Sequence, residues 1–352
     1  MACRLARKAA GRTSPNPLVG AVLVRRGKIV GAGYHRVAGS DHAEIVALKQ
    51  AGAKAQGATL YITLEPCSHY GRTPPCADAL IRARIKEVVA AMSDPNPWVA
   101  GRGFKKLRRA GITVRTGLLE AQCRKMLEAF TKFITQRIPF VTLKLAATLD
   151  GKIATGNGDS QWISGARSRA LVHRWRNEMD AVLVGAGTVR ADDPQLTCRG
   201  AGGRNPYRVV LDSRLRIPLT AQLFKQKDAA KTIIATTTGA PAARVRAIDA
   251  LGAQVWRLPA QGGQVAWQAL LKKLAGHGIV SVLIEGGATV AASALKHKVV
   301  DKVEFFYAPK IIGGDGRVMI DGLAIAKMAQ AIALKKISVQ HVGEDLLVSA
   351  YL

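Results

Sequence analysis

Apolar and polar positions along this chain switch repeatedly between a two-residue period and a three-to-four-residue period, the mark of strands alternating with helices. Apolar runs at 18–24 and 28–33 bracket Arg25-Arg26-Gly27, which predicts a turn and so a hairpin. The pattern then predicts a helix over 42–51, a strand at 59–64, a helix over 75–83 and a strand at 87–92. A helix at 103–110 and a short strand at 112–115 follow. This β-rich opening, continued by strand–helix units, predicts helices on both faces of one sheet. Residues 120–135 keep a helical period and stop before Pro139, which predicts one connecting helix and a domain boundary.

Beyond Pro139 the pattern restarts. Strands are expected at 140–146, 181–184, 208–211, 232–236, 280–284, 302–307 and 346–351, with helical stretches such as 167–177 and 265–275 between most of them. That alternation predicts a second α/β domain built on a parallel or mixed sheet. The domains expected are thus 1–138 and 139–352.

Composition narrows the class. With 48% hydrophobic residues the chain can bury two cores, while its longest apolar runs are strand-length and far short of a membrane span. Arg and Gly interrupt the basic opening before any signal-peptide core forms, so a cytoplasmic location is expected, without membrane attachment. Five cysteines argue for reduced thiols, some assigned to metal. The net charge of +28 invites a nucleic-acid reading, but only 5% of residues are aromatic and runs such as Lys105-Lys106-Leu107-Arg108-Arg109 read as a solvated helix face. Phosphorylated small substrates suit the charge better than RNA or DNA.

Three short segments carry chemistry: Asp41-His42-Ala43-Glu44, Glu65-Pro66-Cys67 and Pro75-Cys76. His42 opens a predicted helix, Cys67 follows a strand, and Cys76 sits in a first helical turn, where backbone N–H groups favour thiolate. One imidazole and two thiolates leave the fourth position of a tetrahedral zinc for water, a catalytic pattern. Glu44, two residues past His42, lies off the ligand face and suits proton transfer to a departing amine. Singly, each residue reads as a buried thiol or a helix cap; together they match the H-x-E…P-C…C signature of zinc nucleobase deaminases. One Zn²⁺ per chain is expected on His42, Cys67 and Cys76, with Glu44 as the catalytic acid/base. Eight residues rather than two separate the cysteines, and this loop, His69 included, is expected to line the substrate pocket rather than add a ligand.

TSPNPLVG at 13–20, HAE at 42–44, LEPCSHYGRTPPC at 64–76 and DPNP at 94–97 resemble the bifunctional deaminase/reductases of bacterial riboflavin biosynthesis. The long inter-cysteine loop separates that group from tRNA and cytidine deaminases. The resemblance implies a cytidine-deaminase-like α/β/α sandwich followed by a dihydrofolate-reductase-like α/β domain. It implies hydrolytic removal of the ring amine from a diaminopyrimidinone bearing a ribosylamino 5′-phosphate, with Asn16 holding the substrate. Read alone, Asn16 is equally a turn residue between prolines. The N-terminus looks a few residues shorter than is usual for the family, which leaves the first helix open.

In the second domain, VGAGTVR at 184–190 follows a strand but lacks the third glycine of a dinucleotide fingerprint. LIEGGAT at 283–289 is better, because two glycines between strand and helix let backbone N–H groups approach a pyrophosphate. LKLAATLDG at 143–151, SQWI at 160–163 and Asp192-Asp193-Pro194 extend the resemblance to the family's reductase domain, which uses NADPH to reduce ribosyl to ribityl. Carried over by position, it implies cofactor contacts at Ala147, Trp162, Thr188, Asp192, Ser213 and along Gly287, Ala288, Thr289, Val290, Ala291, Ala292 and Ser293. It implies substrate contacts at Ser160, Arg176, Leu196, Arg199 and Glu285, the two arginines suiting the phosphate. Trp162 reads equally as core, and the Asp-Asp-Pro run as a helix-ending turn. Ser213 and Arg214 suit a 2′-phosphate and Asp212 a free 2′-hydroxyl, so the residues leave NADPH against NADH open and the resemblance selects NADPH. Lys144 and Glu285, charges within or ending apolar strands, are expected to flank the carbon that receives hydride. Homo-oligomerisation is left open.

Overall fold

The computed structural model describes residues 1–70, 74–200 and 203–352. The chain divides into two compact units, Met1–Ile138 and Pro139–Leu352.

The first unit runs α1 (Ala2–Arg7), β1 (Gly20–Arg25), β2 (Lys28–Tyr34), α2 (Ala43–Ala51), β3 (Thr59–Ile62), α3 (Cys76–Arg82), β4 (Glu87–Ala90), α4 (Arg102–Arg109), β5 (Thr113–Thr116), α5 (Glu120–Met126) and α6 (Glu128–Gln136). Its sheet has the order β2-β1-β3-β4-β5, with β1 antiparallel to both neighbours and β3, β4 and β5 parallel. Alternate strand residues Ala21, Leu23, Leu60, Ile62, Val88 and Ala90 face α2, α3 and α4 in one fully buried cluster. Each large apolar side chain buried there, Leu80 or Leu107 for example, contributes about 1.5–3 kcal/mol. On the opposite face Cys3 of α1 and Cys123 of α5 pack in a second cluster with Met92 and Leu127. The unit is therefore a helix–sheet–helix sandwich. Gly31 and Gly33 make the α2 contact close: a Cβ at either would lie 2.3 Å or 2.6 Å from a carbonyl oxygen of α2. The single connecting helix expected over 120–135 is two, because Leu127 leaves helical geometry (φ −105°, ψ 13°) as its side chain turns into the core.

The second unit runs β6 (Phe140–Thr148), β7 (Lys152–Ala154), α7 (Ala166–Glu178), β8 (Ala181–Gly185), α8 (Ala186–Asp192), β9 (Tyr207–Leu211), β10 (Thr232–Thr237), α9 (Ala242–Asp249), β11 (Gln254–Leu258), β12 (Ala260–Gln261), β13 (Gln264–Val265), α10 (Trp267–Gly276), β14 (Ser281–Ile284), α11 (Ala288–Lys296), β15 (Lys302–Ala308), β16 (Arg317–Val318), β17 (Lys335–Val342) and β18 (Asp345–Tyr351). Nine of these strands form one sheet, β11-β10-β9-β8-β14-β6-β15-β18-β17. The first seven in that order are parallel, and β18 and β17 close it antiparallel. β8 (AVLVG) and β14 (SVLI) are buried at every residue, as strands covered on both faces must be. Asp345 at the start of β18 accepts hydrogen bonds from Gly165 N–H and the Ser168 hydroxyl, so it caps the N-terminus of α7.

Candidate active sites

In the first unit, His42 caps α2 and turns Nδ1 toward Cys67 and Cys76, 3.6 and 3.2 Å from their sulfurs. Cys76 opens α3, and its backbone N–H donates to the Cys67 sulfur at 3.3 Å. One ligand atom from each of the three lies within 4.8 Å of the others. A hydrogen bond from the Cys76 thiol, helped by His42, pulls the Cys67 thiol down to about 4, while that thiolate and burial push Cys76 far up. The sulfurs thus share one proton where a dication would hold both as thiolates. The same Cys67 thiolate raises the His42 pKa. Glu44 is 3% exposed and its Oε2 has no hydrogen-bond partner among the described residues. Burial and the Cys67 charge push its carboxyl up to about 7. An orphaned carboxylate oxygen beside a His/Cys/Cys cluster suits zinc with a proton-bearing water next to it.

Two buried groups that the sequence reading passed over hold this centre. Glu65 accepts backbone hydrogen bonds from Asp94, Gly101 and Phe104 at 2.9–3.1 Å, which ties the DPNP segment and α4 to the Glu-Pro-Cys turn. The approach is close enough that a Cβ on Gly103 would lie 2.0 Å from the Pro66 carbonyl oxygen. His35, at the end of β2, is 2% exposed. It bonds Asn16 at 3.1 Å and stands edge-on to the His42 ring at 5.3 Å. Its only sequence signal is a histidine seven residues before His42. His69 is exposed. Gly71, Arg72 and Thr73, the middle of the inter-cysteine loop, lie outside the described residues.

The second unit contains a cavity of about 2310 Å³ at the carboxyl ends of β8, β9 and β14. Open parallel sheets bind ligands at this edge, and the volume exceeds the 300–1,000 Å³ typical of a single small ligand, leaving room for a dinucleotide and a substrate. Gly287 caps α11, and the first-turn residues Ala288, Thr289 and Val290 line the wall. Trp162, Thr188, Asp192, Ser213, Ser160, Leu196, Arg199 and Ser293 line it as well. Ala147, Ala291 and Ala292 do not. The side chains of all three are buried, at 0%, 0% and 4% exposure. Asp192 ends α8, and Asp193 closes it in a left-handed conformation (φ 40°), so the Asp-Asp-Pro run is a helix-ending turn on the cavity wall.

Lys144 and Glu285 both line the cavity. Burial lowers the Lys144 pKa, and the Glu285 carboxylate offsets part of that fall. Burial also presses Glu285 upward, but Arg176 more than reverses it, so its pKa lies below the usual value. The Arg176 guanidinium grips Glu285 bidentately at 2.7 and 2.9 Å and gives its remaining arm to the Thr197 carbonyl at 3.2 Å. Arg176 thus spends three N–H groups on Glu285 and Thr197 while still lining the cavity, and Arg199, on the same wall, is exposed. Asp212, weighed as a ribose ligand, is 3% exposed and accepts from the Ile217 N–H at 2.8 Å, and it lines the cavity together with Ser213, Arg214 and Arg216. His173 also lines it, with a buried and unpartnered Nδ1. It lies three residues before Arg176, hence on the same helix face, a spacing that could have flagged it.

Comparison with known proteins covers both units. The family model described as the RibD C-terminal domain matches residues 139–348, and that of the cytidine and deoxycytidylate deaminase zinc-binding region matches residues 1–92. Riboflavin biosynthesis protein RibD of Aquifex aeolicus (strain VF5) is 46% identical, over 99% of this chain and 96% of its own length. The solved structure of Acinetobacter baumannii RibD (form 1) superposes with a TM-score of 0.90 at 38% identity, covering 99% of this chain and 96% of that one. A Thermotoga maritima diaminohydroxyphosphoribosylaminopyrimidine deaminase/5-amino-6-(5-phosphoribosylamino)uracil reductase gives 0.87 at 39% identity, with the same coverage of each chain.

Proposed function

The chain belongs to the RibD family, the bifunctional deaminase/reductases of riboflavin biosynthesis, and from that premise we propose that the first unit deaminates and the second reduces. The family joins a cytidine-deaminase-like, zinc-binding domain to a reductase domain that uses NADPH. The substrate proposed is 2,5-diamino-6-ribosylamino-4(3H)-pyrimidinone 5′-phosphate, leaving as 5-amino-6-ribitylaminouracil 5′-phosphate, in the cytoplasm. No helix of the described residues is long and apolar enough to cross a membrane.

The observation that carries the reading is the meeting of one imidazole and two thiols within 4.8 Å, beside the orphaned carboxylate of Glu44. His42, Cys67 and Cys76 would hold zinc, which supplies the Lewis acidity that makes water a stronger acid near neutral pH. Glu44 takes a proton from the attacking water and returns one to the departing amine, so that water and the C–NH₂ bond become C=O and ammonia. Asn16 holds the ring. In the second unit NADPH would supply hydride, and the first turn of α11 would offer backbone N–H groups to its diphosphate. Lys144 donates a proton or stabilises charge at the acceptor atom, and Glu285, fixed by Arg176, orients the sugar hydroxyls. Ser160, Arg176, Leu196 and Arg199 contact substrate, while Trp162, Thr188, Asp192, Ser213 and the Gly287–Val290 turn contact cofactor.

The test follows ammonia release and NADPH oxidation separately. Chelation should stop ammonia release from the diaminopyrimidine while NADPH oxidation continues on substrate deaminated beforehand. Loss of both together, or of neither, would overturn the division.

A further inference from the structure

Asn16 sits in a tight turn, its backbone N–H bonded to the Thr13 carbonyl at 2.7 Å. That turn fixes its main chain but leaves its amide free to rotate by half a turn about its last torsion. The two rotamers present opposite faces to a ligand: carbonyl oxygen where the other has NH₂. A substrate pocket that reads a ring edge must have one of them.

The buried ring of His35 decides which. Its Nδ1 is 3.1 Å from the Asp41 backbone carbonyl, which can only accept, so Nδ1 carries the hydrogen. In a neutral imidazole Nε2 is then a bare acceptor, and it lies 3.1 Å from Asn16 Nδ2. Flipping the amide would set the Asn16 carbonyl oxygen against that lone pair and leave the buried His35 acceptor facing another acceptor. We propose that His35 is a positioning residue for the deaminase: through the relay Asp41 carbonyl, His35, Asn16 it locks one amide orientation. Asn16 then offers the ring Oδ1 and its second N–H in a fixed order, complementary to a ring edge carrying a donor and an acceptor side by side. The inference rests on the reading of Asn16 as the residue that holds the pyrimidine.

Two near-isosteric variants separate the halves of the relay. In His35→Asn the amide can still donate to Asp41 but is too short to accept from Asn16. In His35→Gln the longer side chain reaches Asn16 with its carbonyl oxygen. The deaminase KM should rise about tenfold in H35N and stay near wild type in H35Q, with kcat changed much less in both. Zinc content and NADPH oxidation on deaminated substrate serve as controls for folding. In a cycle with Asn16→Ala, H35N should add almost nothing to the KM already raised by N16A. If H35N lowers kcat rather than raising KM, or raises KM by the same factor with and without Asn16, His35 does not act through Asn16. Equal effects of H35N and H35Q overturn the relay too. If H35N loses its zinc, H35Q decides alone: a KM raised as far as in N16A overturns the inference. An unchanged KM in N16A instead removes Asn16 from the ring, and the relay with it.

Discussion

The Arg176–Glu285 pair gives the sharpest stability prediction. Its side chains are 16% and 7% exposed, and it is joined by two short hydrogen bonds. Arg176→Met would leave a carboxylate buried without its main counter-charge, a loss of roughly 3–5 kcal/mol by analogy with broken buried pairs. For a unit of this size each kcal/mol moves the melting temperature by about 2–4 °C, so the second unit should melt roughly 6–20 °C lower. Arg176→Met/Glu285→Leu should recover part of that loss, since no carboxylate is stranded and Lys144 can shed its proton. Sign follows from linkage. Glu285 titrates below its ordinary 4.5 in the native protein, so the pair's contribution is present above that value and lost as pH falls through the folded pKa. The gap between wild type and R176M should therefore be smallest in acid and widen as pH rises past 4.5. Calorimetry across pH reads all of this. A shift under about 2 °C at neutral pH, a double variant melting below R176M, or a gap that grows in acid would refute the argument.

Other outcomes follow from the two sites. Cys76→Ala should drop zinc from about one per chain to far less and abolish deamination while reduction persists; retained metal and turnover would unseat the ligand set. Glu44→Gln should keep its zinc and deaminate roughly 10²–10⁴-fold more slowly, and a near-normal rate would remove Glu44 from proton transfer. Lys144→Met should end NADPH oxidation without slowing ammonia release, and its melting temperature should hold or rise, because a buried ammonium is unfavourable; a clear fall in melting temperature would show the lysine to be structural. Gly103→Ala should lower zinc retention and the stability of the first unit, because a Cβ would strike the Pro66 carbonyl beside Cys67; wild-type zinc titration would count against that coupling.

Much of this was legible in the chain. Alternation of period located most strands of both sheets, because β1, β3, β4, β6, β8 and β14 bury side chains in the pattern that their layer demands. What escaped depends on distance rather than pattern. β17 is exposed along most of its length, and its short alternation, Ile337 and Val339, faces solvent rather than a core. Local motifs named His42, Cys67, Cys76 and Glu44, but no local rule says that Glu65 will gather N–H groups 29 to 39 residues away. The charge of Arg176 was visible in the chain, but its partner Glu285, 109 residues on, was not. Along 287–293 only the folded helix shows that Ala291 and Ala292 are buried while Ala288, Thr289, Val290 and Ser293 line the cavity.

The order of strands in the two sheets has a further consequence during synthesis. Every strand of the first sheet lies between Gly20 and Thr116, so that sheet can close while the second unit is still being translated. The second unit can add β8, β9, β10 and β11 stepwise, but not β6. β6, the first of its strands to leave the ribosome, pairs only with β14 and β15, which follow more than 130 residues later. Until then its apolar run Phe140–Thr148 has no partner within its own sheet and is the segment most open to chaperones or to wrong pairing. Asp345, which pins the helix bearing Arg176, is made later still. The second unit thus places β6 late, on strands completed only at Ala308, and ribosome stalling just past β15 would leave the first sheet closed and α7 without its Asp345 cap.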